Sequence, residues 1–184
     1  MYIKEYFYVL GAEKLSTKQE RINTFKNAMA NYPTGVSVVT TTDENDKPVG
    51  LTVNSFASVS VDPLLVLWSI DRRVSTYEPF SNTNKFAVNI LREDQADLAY
   101  TFSSSDDDDR FTNCSWNFSE NGLPIIDNVI TTLQCTLYKQ VEAGDHLTLI
   151  GEVIDIQTNE ENPLLYHGRK LAPLPANFHQ PSSS

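Results

Sequence analysis

The chain has 184 residues and a mass of 20.7 kDa, a size that suits one domain with a sizeable core. Its 24 acidic and 14 basic residues give a net charge of −10, which argues against nucleic acid as a partner. The N-terminal MYIKEYFYVL lacks the features of a secretory signal, no segment has the apolar length of a membrane span, and Cys114 and Cys135 lack paired spacing. We therefore expect a cytoplasmic protein with no metal site and no membrane contact.

The first predicted element is a helix over residues 18–31. Thr17 and Glu20 have the spacing of a capping box, and Pro33 ends the pattern. Four apolar residues recur on one face of this helix: Ile22, Phe25, Ala28 and Met29.

Two strands follow and are predicted to form a hairpin. Residues 36–42 are rich in β-branched side chains, and the turn-forming residues 43–48 separate them from the second strand. Along the second strand, alternation places two sets of residues on opposite faces: Val49, Leu51 and Val53 on one, Gly50, Thr52 and Asn54 on the other. One face can enter a core while the other hydrogen-bonds a ligand.

The remaining pattern adds strands and two helices. Residues 64–70 are nearly all apolar, which indicates a buried strand, and a short helix is predicted over residues 77–82. A strand over residues 86–91 precedes a helix that Asp94 is expected to cap. A long hairpin follows, with strands over residues 133–141 and 147–156 that flank a turn at Gly144 and Asp145. The acidic run Asp106–Asp109 is interpreted as a solvated loop.

Five or six strands joined by turns indicate an antiparallel barrel with helical additions rather than a doubly wound sheet. The sequence contains no GxGxxG after a strand, no phosphate-binding P-loop, no GxSxG and no HExxH. A nucleotide, if one binds, is therefore held outside the dinucleotide-binding and P-loop architectures.

Five blocks occur in order: FKNAMANYPTGVSVVTT, PVGLTVNSFASVSVDPLLVLWSIDRRVST, FAVNIL, DRF and GDHLTLIGEV. Together they resemble the flavin reductase-like family, which has the FMN-binding split-barrel fold. The resemblance implies a mainly β fold, an antiparallel six-stranded Greek-key split barrel with peripheral helices. It also implies an N-terminal extension over residues 1–16, the barrel domain over 17–170, a flexible tail over 171–184, and a homodimer.

The resemblance assigns a flavin site to the second strand of the hairpin and its surroundings. The residues expected to contact the ring edge, the ribityl chain and the bend that follows are Thr34, Gly50, Thr52, Asn54, Ser55, Ser58 and Ser60. Gly50 is expected to let the backbone approach the ring closely. Each hydroxyl residue can instead be an ordinary polar strand residue.

An anion site is predicted where the buried strand ends. Asp71, Arg72 and Arg73 follow the strand directly, and Ser75 is expected to open a helix. We assign Arg73 and Ser75 to the flavin phosphate, with Arg72 as the alternative. The arginines can also simply pair with surface acids.

Gly144, Asp145 and His146 match the GDH block that the family places on the nicotinamide side of the flavin. His146 is expected to position the nicotinamide rather than to transfer a proton, because hydride transfer to a flavin requires no general base. In the C-terminal segment LLYHGRKLAPL only Tyr166 matches the tyrosine-rich segment usual in the family.

The resemblance implies an NAD(P)H-dependent flavin reductase that transfers a hydride to FMN, or to FAD, and supplies reduced flavin to a partner monooxygenase. Either NADH or NADPH can be the donor. Two alternatives stay open: an FMN-binding electron carrier or sensor without nicotinamide turnover, and a flavin-free interaction domain on the same barrel.

Overall fold

The computed structural model describes residues 17–104 and 110–178. The predicted extension over residues 1–16, the acidic run Asp106–Asp109 and the end of the predicted tail lie outside these ranges. The chain divides between Tyr32 and Pro33 into two compact units. Among the described residues, no helix combines the length and apolar character needed to cross a membrane.

The described part of the first unit is helix α1 (Lys18–Ala30). The predicted capping box is confirmed: the Glu20 amide donates to Thr17 Oγ1 over 3.1 Å, and the Thr17 amide donates to Glu20 Oε2 over 2.9 Å. No residue of α1 is buried.

The described residues of the second unit form one large sheet and two small ones. Its elements are β1 (Thr34–Gly35), β2 (Ser37–Thr42), β3 (Pro48–Val53), β4 (Ala57–Val61), β5 (Leu64–Asp71), α2 (Tyr77–Asn82), β6 (Lys85–Ile90), α3 (Ala96–Ser103), β7 (Trp116–Phe118), β8 (Pro124–Ile126), β9 (Thr131–Ala143), β10 (His146–Thr158), β11 (Leu164–His167) and β12 (Lys170–Pro173). A 3₁₀ turn over Ala176–Phe178 follows.

The large sheet is antiparallel, with seven strands in the order β3–β2–β6–β9–β10–β5–β4. Strands β3 and β5 are not hydrogen-bonded neighbours, yet they pack together, so the sheet curls on itself. The small sheets are β1–β11–β12 and β7–β8. This confirms the predicted mainly β, antiparallel barrel with peripheral helices, and its strand number is close to the six expected.

The main core lies inside the curled sheet, around Trp68. The Trp68 ring meets the Phe80 ring edge-on at a centroid distance of 4.9 Å and the Phe86 ring at 5.8 Å, and all three side chains are fully buried. A second cluster forms where Ala99 and Phe102 of α3 pack, as the spacing of that helix predicts. Helix α3 thereby covers the face of β3 that points away from the main core.

The structure corrects several local predictions. Asp94 does not cap α3; Arg92 donates two hydrogen bonds to its carboxylate, and the helix begins after Gln95 without a side-chain cap. Ser75 does not open α2, because Thr76 is the residue before that helix. Strand β12 includes residues 171–173, where the predicted tail begins.

Candidate active site

The end of β5 and the turn between β9 and β10 meet at one corner of the large sheet. Asp71 and His146 are direct cross-strand partners there. The turn is made possible by Gly144, whose φ of +63° is in the left-handed region that favours glycine. The structure therefore brings together two predictions that were made separately, the residues after the buried strand and the GDH block.

The charged groups at this corner hold one another. His146 Nδ1 lies 2.8 Å from Asp145 Oδ1, and Arg73 Nε donates to Asp71 Oδ1 over 2.9 Å. Hydrogen bonds from the Arg73 side chain, and then from its backbone amide, hold the pKa of Asp71 far below its usual range. The hydrogen bond with His146 likewise lowers the pKa of Asp145. Both carboxylates are therefore ionised at neutral pH, and the His146 side chain, 41% exposed, is fixed by one of them.

The two arginines predicted to hold a phosphate already have acidic partners. Arg73 binds Asp71, and Arg72 Nη2 lies 3.2 Å from Glu142 Oε1. These ion pairs are what the alternative interpretation, pairing with surface acids, predicts, and phosphate binding by either arginine stays a prediction. Ser75 is separated from this corner and lines a different cavity, beside Lys47 and Arg110.

Polar residues at the end of β3 and just after it bond to the protein's own backbone. Thr52 Oγ1 donates to the Ala99 carbonyl in α3 over 2.8 Å. Ser55 Oγ donates to the Ser69 carbonyl over 3.1 Å and accepts the Ser69 amide over 3.0 Å. These two hydroxyls fix α3 and β5 against the segment of β3 where a ligand is expected.

Gly50 has a packing role that the sequence did not indicate. A Cβ atom at this position would lie 2.5 Å from the Phe102 ring, and the glycine is buried. Its carbonyl accepts a hydrogen bond of 2.7 Å from Arg110 Nη1. The close approach at Gly50 is therefore made by α3, and this contact accounts for the glycine without a flavin.

The other predicted flavin residues are spread over neighbouring elements. Thr34 lies in β1 opposite Tyr166 of β11, and its hydroxyl is buried without a hydrogen-bond partner in the part of the chain that the structure describes. Ser58 and Ser60 belong to the edge strand β4 rather than to a bend, and Ser60 Oγ accepts the amide of Asp62 over 3.2 Å.

A cavity of about 290 Å³ opens between the end of β3, helix α3 and the β11–β12 hairpin. Asn54 and Thr52 line it together with Tyr100, Tyr166 and Arg169. Sequence reasoning named Asn54, Thr52 and Tyr166 but missed Tyr100 and Arg169. Gly168 was the sequence signal that could have placed Arg169 in a hairpin turn, because glycine is common in such turns. In the structure both residues have the positive φ typical of them.

Three comparisons with known proteins agree on the family. A family model described as "Flavin reductase like domain" matches residues 29–175. The chain is 45% identical over 133 residues to the reductase component of a flavin-dependent trigonelline monooxygenase from Acinetobacter baylyi. This match covers 72% of this chain and 43% of that protein. It therefore spans less than half the length of this relative.

Two further relatives align over most of their length. The chain is 37% identical over 149 residues to the FMN reductase (NADH) SmoA of Agrobacterium fabrum, covering 81% of this chain and 84% of that protein. The solved structure of the Streptomyces globisporus NADH:FAD oxidoreductase SgcE6, in complex with NAD and FAD fragments, superposes with a TM-score of 0.81 at 29% identity. That match covers 88% of this chain and 97% of SgcE6. By its fold and by the family model that spans most of its length, the chain belongs to the flavin reductase-like family.

Proposed function

We propose that the chain is an NAD(P)H:flavin oxidoreductase, which transfers a hydride from a reduced nicotinamide to FMN or FAD. The observation that carries this proposal is the match with SgcE6, a NADH:FAD oxidoreductase, over nearly the whole of that protein. The FMN reductase SmoA, similar over most of its own length, supports the same reaction.

The residues around the cavity at the end of β3 suit a flavin. Tyr100 and Tyr166 offer aromatic surface for a flat ring, while Asn54 and Arg169 offer donors to its polar edge. When bound there, a flavin supplies the ring that accepts the hydride. The protein's part is to hold that ring and to keep water away from it.

We assign His146 to the nicotinamide side. Its imidazole is fixed by Asp145 and remains accessible at the corner, so it can hydrogen-bond or stack against an incoming ring. The reaction moves a hydride and needs no general base, which makes His146 a positioning residue. Asp71 lies opposite it and keeps Arg73 in place.

The wider setting follows from the relatives. Several are reductase components of flavin-dependent monooxygenases, which supports a monooxygenase as the partner that receives reduced flavin. The homodimer and the cytoplasmic location are part of the same proposal. Ile22, Phe25 and Met29 leave an exposed apolar face on α1, which favours a dimer, and the free Cys114 and Cys135 suit a reducing compartment.

The test is the oxidation of NADH and NADPH by the purified protein, first without flavin and then with FMN, FAD or riboflavin added. We expect turnover that depends on added or bound flavin, and the same assay ranks the flavins and the two nicotinamides. A yellow protein that oxidises neither nicotinamide would instead be an electron carrier or sensor. A colourless protein that ignores FMN would contradict both readings.

A further inference from the structure

Two hydroxyl side chains lie beside His146 on the outer face of the large sheet. Ser69 of β5 and Thr148 of β10 are direct cross-strand partners, and their hydroxyl oxygens lie 2.8 Å apart. Asp71 and His146 form the next such pair, two residues away along both strands. Side chains alternate between the two faces of a strand, so all four of these side chains lie on the same face.

The burial of these strands shows that the outer face is accessible to a ligand. Ile70 and Leu147, which lie between the two pairs, are buried in the core, whereas Ser69 and Thr148 are partly exposed. The amide and the carbonyl of Ser69 both bond to the Ser55 hydroxyl, and β10 lies between β5 and β9. The exposure of the two residues therefore belongs mainly to their side chains.

The Ser69 and Thr148 hydroxyls keep hydrogen-bonding capacity for a ligand. Among the described residues, these two hydroxyls bond only to each other. One hydroxyl donates to the other, so one hydroxyl proton and several lone pairs remain for further partners. A ligand group that both donates and accepts suits such a pair, and a carboxamide does both through its N–H groups and its carbonyl oxygen.

The hydroxyl pair lies between His146 and the cavity where a flavin is expected. Residues two apart along a strand are separated by about 7 Å, which matches the length of a nicotinamide group. On the side of the cavity, Ser55 directly follows Asn54 of the cavity wall. Val141, opposite Thr148 and 40% exposed, adds apolar surface for a ring on the same face. A nicotinamide that packs against His146 can therefore place its carboxamide on the hydroxyl pair.

We propose that Ser69 and Thr148 recognise the carboxamide group of the nicotinamide. An N–H of the carboxamide donates to a hydroxyl oxygen of the pair, and the free hydroxyl proton is donated to the carboxamide oxygen. This inference rests on the proposed function and deepens it, because it names the part of the substrate that binds next to His146. The two hydroxyls thereby select a carboxamide over other groups at the same position of the ring.

The experiment compares NADH with reduced 3-acetylpyridine adenine dinucleotide, in which a methyl group replaces the carboxamide nitrogen. Ser69→Ala and Thr148→Val each remove one hydroxyl, and Thr148→Ser keeps it. Thr158→Val is the matched control. Thr158 lies at the other end of β10 and forms the same kind of hydroxyl pair with Thr131, over 2.9 Å.

The quantity measured is the ratio of kcat/KM for NADH to kcat/KM for the analogue, in each of the five proteins with flavin present. This ratio does not depend on the fraction of active protein, and the different reactivity of the two dinucleotides is common to all five. We expect the wild type, Thr148→Ser and Thr158→Val to share one ratio. Ser69→Ala and Thr148→Val should lower it about fivefold, the contribution of one hydrogen bond.

The same ratio in all five proteins, or an equal fall in Thr158→Val, would overturn the inference while hydride transfer stands. If the wild type oxidises neither dinucleotide, calorimetric titration of the same proteins with both dinucleotides, with FMN present, gives a ratio of affinities instead. A lower ratio of affinities in Ser69→Ala and Thr148→Val would support carboxamide recognition although the proposed hydride transfer fails. A wild type that neither oxidises nor binds NADH would overturn both.

Discussion

At the scale of single residues, the corner formed by Asp71, Arg73, Asp145 and His146 is held by charge. Asp71 is ionised over the whole physiological range because Arg73 keeps its pKa low, and it faces His146 across the sheet. Asp145 then fixes the imidazole from the turn. The corner is thus a set of mutually paired groups that presents one ring to the solvent.

The lowered pKa of Asp71 predicts how this corner responds to acid. A carboxylate whose pKa is depressed on folding stabilises the folded state above its unfolded pKa, about 3.9, and loses that contribution as the pH falls through the folded value. The stabilisation that wild type has over Asp71→Asn should therefore persist from neutral pH down to about pH 4 and shrink below it. Denaturant unfolding at a series of pH values measures this. A difference that already declines near neutral pH would contradict the assignment.

His146→Ala tests the positioning role directly. We expect the Michaelis constant for NADH to rise by more than the limiting rate falls, because the side chain binds and orients the nicotinamide and takes no part in proton transfer. His167→Ala is the control, since His167 is an exposed histidine at the end of β11, where it pairs with Lys170 across the β11–β12 hairpin. An unchanged Michaelis constant in His146→Ala would remove this residue from the nicotinamide site.

Residue types alone could not tell ligand contacts from structural ones. The family resemblance implies that the hydroxyls of Thr52 and Ser55 contact the flavin. In the structure both hydroxyls donate hydrogen bonds to backbone carbonyls. A hydroxyl can hydrogen-bond a backbone group or a ligand equally well, so its partner depends on which groups pack beside it. Arg73 is a similar case, because its partner Asp71 is only two residues away.

At the scale of elements, the seating of α3 on β3 shapes the candidate site. Phe102 packs directly over Gly50, while Thr52 donates to Ala99 in the same helix. The Phe102 ring also meets the Phe111 ring edge-on, with centroids 5.0 Å apart. Because α3 lines the cavity at the end of β3, a displacement of this helix would affect the candidate site.

Gly50→Ala measures how tightly this helix is seated. The added methyl group would overlap the Phe102 ring, so we expect a loss of about 1 to 3 kcal/mol in the free energy of unfolding. Gly35→Ala is the control, because a Cβ atom there meets nothing within 4 Å. Denaturant unfolding compares the two variants. Equal free energies of unfolding would mean that α3 can shift to accommodate the methyl group at little cost.

The elements that sequence patterns predict are those with clear turns and strong periodicity. Both long hairpins are marked by turn residues, and α1 is marked by its capping box. The sequence patterns did not predict the short strands, because three-residue segments such as β7 and β8 are too short to show an alternation of apolar and polar residues. Strand β4 has the sequence ASVSV, and its small residues resemble those of a serine-rich turn. Its backbone pairing with β5, which makes it a strand, is visible only in the structure.

At the scale of the whole molecule, the curled sheet explains why distant segments form one site. Strand β3 lies at one edge of the sheet order and β5 next to the other, yet the two pack together. The hairpin of β9 and β10 then delivers His146 to the end of β5. Local pattern could not predict this closure, and the family resemblance supplied it.

The central claim is that this chain moves a hydride from a nicotinamide to a flavin. Mixing the protein with limiting NADH and excess FMN in the absence of oxygen tests it most directly, with both absorbance changes followed together. We predict equal amounts of NADH oxidised and FMN reduced, at a rate that rises with protein concentration. Flavin that stays oxidised while NADH persists, in a protein that demonstrably binds FMN, would contradict the account.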